Sequence, residues 1–142
     1  MRQALDAGHD VTAVVRSPEK ITDPVRVVRA DLADPDPAVL RDAVKGADAI
    51  LSGLGARFAR TMFRTHYADL ARMEDVIRAS GLDWTISRPP KLTDKPLTGH
   101  YRTALDRNIR GGFSVSRADV AHQMLHSLDQ PETIRHAIGV AD

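Results

Sequence analysis

The chain has 142 residues, 42% of them hydrophobic and 27% charged, with 20 basic against 19 acidic side chains and no cysteine. That length suits a single domain, residues 1–142, with a real core, and a net charge of +1 gives no general drive toward nucleic acid or membrane. The missing cysteines exclude disulfides, thiolate metal sites and cysteine nucleophiles. No apolar run approaches the ~20 residues of a membrane span, and with no signal peptide read at the start a cytoplasmic protein is expected.

Residues 2–7 read as the end of a helix closed by Gly8, with His9 and Asp10 as the turn. Val11-Thr12-Ala13-Val14-Val15 is nearly continuous in apolar residues, as expected for a strand covered on both faces. A polar loop or short helix follows at residues 16–20, then a second strand at 25–29 that runs out into Ala30-Asp31-Leu32. Asp36 can cap a helix over 37–45, with Pro37 tolerated at its first position and Gly46 closing it. Its apolar residues Val39, Leu40, Ala43 and Val44 share a face. Residues 49–52 are expected to form a third short strand, opening into Gly53-Leu54-Gly55-Ala56-Arg57.

Arg57, Arg60 and Arg64 would share a face if residues 58–64 were helical, and a solvated face is the expected reading. Residues 67–79 carry a helical stripe of Leu70, Met73, Val76 and Ile77, with Glu74 and Arg78 as a favourable i,i+4 pair. Gly81 is placed to end that helix. Residues 82–87 alternate as a strand, which Pro89-Pro90 stops because neither proline can donate to a ladder. Two short extended pieces at 98–105 and 112–115 flank a Gly/Arg/Asn turn. Ser116-Arg117-Ala118-Asp119 reads as a capping box, opening a helix whose stripe is Val120, Ala121, Met124, Leu125 and Leu128. Pro131 ends it, and residues 137–140 are expected to form a last strand. Strands alternating with helices at this spacing predict an α/β fold with a mostly parallel sheet.

Several segments together carry a family likeness: GHDVTAVVRSPEK, ADLADP, HYADLARMEDVIRASGLDWTISRPPKLTD, the Thr98-Gly99-His100-Tyr101 run and the Ser116-capped helix. In order and spacing they resemble the atypical short-chain dehydrogenase superfamily, in its NAD(P)H-binding, NmrA-like branch, closest to the biliverdin-IXβ reductase/flavin reductase type. The resemblance implies a Rossmann-like sheet with flanking helices and an NAD(P)H-dependent hydride transfer to a flavin, quinone or tetrapyrrole-like acceptor. It implies that Arg16 and Ser17 read the adenosine 2′-phosphate, favouring NADPH over NAD, because a guanidinium pairs bidentately with phosphate; an exposed loop arginine is the alternative. Asp31 and Leu32 would flank the adenine, and Leu54, Gly55 and Arg57 would lie where backbone approaches the cofactor. Pro89 and Pro90 would border the nicotinamide, with Lys91 next to them. No catalytic side chain is assigned.

Two departures from the family pattern shape the expectation. A complete member opens with a strand and a Gly-rich turn that holds the pyrophosphate, whereas this chain reads as starting inside the helix that follows. Between Arg57 and Tyr67 about nine residues stand where the family has a strand and helix, too few for a crossover unit. The sheet is therefore expected to be truncated and compacted, with the remaining strands pairing directly or a homo-oligomer covering the open edges. A non-catalytic Rossmann-derived remnant or a dinucleotide-sensing regulatory protein is the second reading. His122 and His126 have the i,i+4 spacing of a zinc pair, but Gln123 replaces the glutamate of H-E-x-x-H. They are expected in solvent, with no metal site. The expected partner is a small-molecule acceptor, not nucleic acid or membrane.

Overall fold

A computed structural model describes residues 1–31, 36–52, 74–75 and 77–142. They form two compact units, Met1–Leu51 and Ser52–Asp142. Among the described residues no helix is long and apolar enough to cross a membrane.

In the first unit, helix α1 (Arg2–Asp6) ends as its glycine predicts. Gly8 takes φ +83°, its N–H donates to the Leu5 carbonyl at 2.9 Å and the His9 N–H to the Ala4 carbonyl at 3.0 Å. Two orphan carbonyls are thereby satisfied in one Schellman turn. Strands β1 (Thr12–Val15) and β2 (Arg26–Arg29) pair in parallel, with Thr12 opposite Arg26 and Val15 opposite Arg29. Helix α2 (Pro37–Val44) starts where Asp36 accepts the Ala38 N–H at 2.8 Å. Its Ala43, with Ala4 and Ala30, is among the buried apolar residues.

Residues 49–52, expected as a strand, are irregular, with Ile50 67% exposed. Apolar content qualifies a segment for a strand, but backbone N–H and C=O groups hold it there only when a neighbouring strand takes them, and none of the described strands pairs with it.

The second unit is built on the end of the chain. Strand β7 (His136–Ala141) is the middle of a three-stranded sheet, parallel to β3 (Thr85–Arg88) on one side and antiparallel to β5 (Arg102–Leu105) on the other. A parallel pair of β4 (Lys91–Thr93) and β6 (Ser114–Ser116) lies beyond the double proline, so Pro89-Pro90 ends one strand and redirects the chain into another sheet. The expected Val11–Val15 strand is thus paired, and among the described residues three of the four strand pairings are parallel. Residues 74, 75 and 77–79 are helical, and Gly81 follows them at φ +72°. Strand β3 begins three residues later than expected, leaving Leu82 67% exposed.

Helix α3 (Arg117–His126) differs most from its apolar stripe. The residues it buries are Asp119 and Gln123, followed by Ser127 one turn on, while Leu128 is exposed. The physical reason is what the helix faces. Ser87 Oγ donates to Gln123 Oε1 at 2.6 Å, Gln123 Nε2 donates to Ser127 Oγ at 2.7 Å, and the Ser127 carbonyl accepts from Thr133 Oγ1 at 3.2 Å. Buried polar groups demand partners, and here each supplies the next. Apolar periodicity reports burial only where the neighbouring element offers apolar surface.

Candidate functional site

The carboxyl ends of parallel strands are where open α/β sheets bind ligands, and the first unit has one such edge. The register of β1 on β2 continues for one more residue, with the Ala30 N–H donating to the Val15 carbonyl at 3.0 Å. Arg16 and Asp31 therefore leave the pair at the same end. Arg16 is exposed and makes no ion pair with the described residues. Ser17, half-buried, precedes the 3₁₀ turn Pro18–Lys20, where Pro18 starts the turn without needing an N–H. Asp31 is exposed. The structure thus brings Arg16, Ser17 and Asp31 to one edge. Leu32, Leu54, Gly55 and Arg57 lie outside the described residues, as do Arg60, Arg64, Tyr67 and the span between Arg57 and Tyr67.

Pro89, half-buried, and Pro90, exposed, form the corner at the carboxyl end of β3. What holds that corner is a two-point ion pair that helical spacing does not predict, since i,i+4 spacing matches Glu74 with Arg78 alone. Arg88 Nε donates to Glu74 Oε1 at 3.0 Å and Nη2 to Oε2 at 2.5 Å, while Arg78 reaches the same Oε2 at 2.8 Å. The hydrogen bond from Arg88 holds the Glu74 carboxyl below its ordinary range despite opposing burial, and the same bond raises the Arg88 guanidinium. A fork-to-fork pair fixes direction as well as charge. Glu74→Ala is expected to cost about 1–2 kcal/mol, read as an earlier midpoint in urea; an unchanged midpoint would show that the corner stands without the pair.

Past the corner, the chain from Thr98 to Tyr101 is held by one carboxylate. Asp119 has no exposed surface. Its Oδ1 accepts the N–H groups of Thr98 at 2.9 Å and Gly99 at 2.8 Å, and its Oδ2 accepts the Ser116 hydroxyl at 2.7 Å. The Asp119 N–H in turn donates to Ser116 Oγ at 2.9 Å, which is the expected cap. Burial pushes the Asp119 carboxyl up, and the bonds from Ser116, Thr98 and Gly99 outweigh it, leaving it below the usual carboxylate range.

Beside this loop lies a half-open groove of about 710 Å³ whose lining includes Tyr101, Leu105, Arg107, Gln123, His126 and Ile138. The Tyr101 hydroxyl is 2.7 Å from Nδ1 of His122. The ring of His122 lies 6.3 Å from that of His126, centroid to centroid, at an interplanar angle of 23°. Burial first, and then the charge of Asp119, pushes the Tyr101 phenol up. Both histidines are exposed, as expected, and Tyr101 is half-buried. Their convergence carried no signal beyond the i,i+4 spacing, because Tyr101 reaches the helix from a loop 21 residues upstream.

A family described as NAD(P)H-binding matches residues 1–61 and 56–131. A Bacillus subtilis (strain 168) protein described as an uncharacterized sugar epimerase is 39% identical over 77 residues, which are 54% of this chain and 32% of that protein. The chain thus spans about a third of that curated relative. Among solved structures, a Rossmann-fold NAD(P)-binding family protein from Shigella flexneri has a TM-score of 0.79 at 26% identity, over 99% of this chain and 85% of that one. A short-chain dehydrogenase/reductase (wide type) from Veillonella parvula DSM 2008, in complex with NADP, gives 0.73 at 19% identity, over 99% and 87%. A Streptococcus pneumoniae TIGR4 protein provisionally assigned as an NADH-flavin reductase gives 0.72 at 21% identity, over 99% and 91%. The fold is accordingly Rossmann-like α/β, with parallel strands and flanking helices.

Proposed function

Since the chain belongs to the NAD(P)H-binding family, we propose that it is an NADPH-preferring oxidoreductase of the atypical short-chain dehydrogenase type, working in the cytoplasm on a flavin, quinone or tetrapyrrole-like acceptor. One observation carries the cofactor choice. Arg16 is an exposed guanidinium, unpaired among the described residues, at the carboxyl edge of a parallel strand pair and beside Asp31. A free cation at that edge fits a 2′-phosphate, which it would pair bidentately. The Veillonella parvula neighbour's complex with NADP supports the phosphorylated form, and the name of the Streptococcus pneumoniae neighbour supports a flavin acceptor.

In this reading Arg16 and Ser17 would hold the adenosine phosphate, Asp31 and Leu32 the adenine, and the Pro89-Pro90 corner would border the nicotinamide. The reduced nicotinamide supplies the hydride, and the chain's own residues bind and orient. The corner's rigidity suits that division of labour: two prolines with fixed φ follow an arginine clamped by Glu74.

A second reading, a dinucleotide sensor without turnover, is favoured by the side chains at the same corner. Ser87 is engaged by Gln123 and Arg88 by Glu74, which leaves neither free for proton transfer. Titration of the chain with NADPH and NADH, followed by reduced-nicotinamide fluorescence, tests the cofactor assignment. NADPH is expected to bind more tightly. Arg16→Ala is expected to weaken NADPH about tenfold and to leave NADH unchanged. No saturable binding of either dinucleotide overturns both readings; binding without oxidation of NADPH by flavin or quinone leaves the sensor.

A further inference from the structure

We infer that His122 and His126, with Tyr101 behind them, form a surface site for one late first-row divalent metal ion, Cu²⁺ ahead of Ni²⁺ and Zn²⁺.

Both histidines lie within helix α3, and i,i+4 imidazoles on a helix project from one face at the spacing that metal-binding helices use. Both are exposed, so neither ring must be drawn out of a core to reach an ion. The rings are close to parallel, 23° apart in plane, with 6.3 Å between centroids. Rotation of the exposed His126 side chain would bring one of its nitrogens to about 2.0–2.1 Å from an ion shared with His122.

Tyr101 distinguishes this pair from two solvent-facing histidines. Its hydroxyl oxygen lies 2.7 Å from His122 Nδ1 and packs edge-on to the same ring, with centroids 5.8 Å apart. When the phenol oxygen accepts the hydrogen bond that Nδ1–H donates, the lone pair stands on Nε2, and the ring's orientation is fixed. A metal-bound histidine needs this from its second nitrogen: a hydrogen-bond partner that sets the tautomer and turns the ring. Tyr101 and His126 both line the groove. Among the described residues no cluster of three or more histidine, aspartate or glutamate side chains could enclose an ion. The site therefore offers two protein nitrogens, with the remaining positions taken by water. Two imidazoles without carboxylate or thiolate favour copper and nickel over magnesium or calcium, and the Irving–Williams order places copper first.

The test is calorimetric titration of the untagged chain with Cu²⁺ and with Ni²⁺. One ion per chain is expected, with Cu²⁺ the tighter. His122→Ala and His126→Ala should each weaken binding by at least about tenfold, and Tyr101→Phe by about tenfold while keeping the stoichiometry. The melting temperature of the wild type should rise with Ni²⁺, and that of the His122/His126 double variant should not. Equal melting temperatures without metal show that the variants are folded. Absence of binding, or an isotherm that the double variant leaves unchanged, overturns the site and assigns any binding to the other histidines. An unchanged affinity in Tyr101→Phe overturns the positioning role of the phenol.

Discussion

Asp119→Ala is expected to cost about 3–4 kcal/mol, a large share of the marginal stability typical of folded proteins. The side chain is completely buried and serves three elements at once: the 98–99 backbone, the Ser116 hydroxyl and the first turn of α3. Truncation would leave the Thr98 and Gly99 N–H groups and the Ser116 hydroxyl short of an acceptor. Such groups cost their full desolvation once a partner is gone. It would also remove a negative charge from a helix N-terminus, where the charge is favourable. Gly99 adopts φ +67°, so the loop holds a conformation that glycine permits and the carboxylate fixes. Urea unfolding measures the loss, and amide exchange at Thr98 and Gly99 should show where it falls. A loss below about 1 kcal/mol would mean that water replaces the carboxylate, as it does at exposed sites.

The same group makes stability fall in acid. Asp119, Glu74 and Asp106 are all held below their ordinary values, Asp119 by its hydrogen bonds against burial, Glu74 by Arg88 and Asp106 first by the Ala137 backbone. At these groups the unfolded chain binds protons more readily than the folded one. Their contribution is complete above the unfolded carboxylate values of about 4 and is lost as pH falls through the lower folded values. Asp119→Ala should flatten that acid limb as well as lower the plateau.

Local chemistry was legible in the sequence, and long-range partnership was not. Gly8, the Asp36-Pro37 start of α2, Gly81 and the Ser116 cap are each dictated within a few residues, by left-handed backbone or orphan amides, and all stand where expected. Strand β7 reads from the sequence as a short last strand. Its position between β3 and β5 depends on pairings across 33 to 51 residues, which periodicity does not encode. Residues 49–52 failed for the same reason, since pattern does not create a neighbour. The face of α3 failed because its neighbours, Ser87 and the 98–99 loop, are polar.

The candidate site divides along the same line. Arg16 and Asp31 were placed by resemblance, and the parallel register then brought them to one edge without further assumption. The clamp on Arg88 was half visible: Glu74 was matched with its helical neighbour Arg78, while the stronger two-point contact comes from a strand 14 residues away. Tyr101 and His122 lie in separate segments, 21 residues apart. Nothing in either segment signals that a loop phenol meets a helical imidazole, because that contact is made by the Asp119-held turn.

Gly139→Ala is the second large effect, expected at about 2–4 kcal/mol. Gly139 lies in the middle of β7, opposite Arg88 on one side and Ala104 on the other. A Cβ there would stand 2.3 Å from the carbonyl oxygen of Arg107 and 3.2 Å from Asn108 Cα. The obstruction is backbone, which cannot rotate aside. Nor can the turn withdraw, since the Asp106 N–H donates to the Ala137 carbonyl at 2.6 Å and Asp106 Oδ1 accepts the Ala137 N–H at 3.0 Å. The strand and the turn that crowds it are thus tied together. Gly8→Ala is the comparison: it has φ +83° and open space around it, so its cost is conformational alone, about 1 kcal/mol. If the two variants unfold at the same urea concentration, the turn yields and β7 is not closely packed there. If Gly139→Ala unfolds well before Gly8→Ala, glycine is required in β7 for want of room, and the 106–108 turn is part of the core.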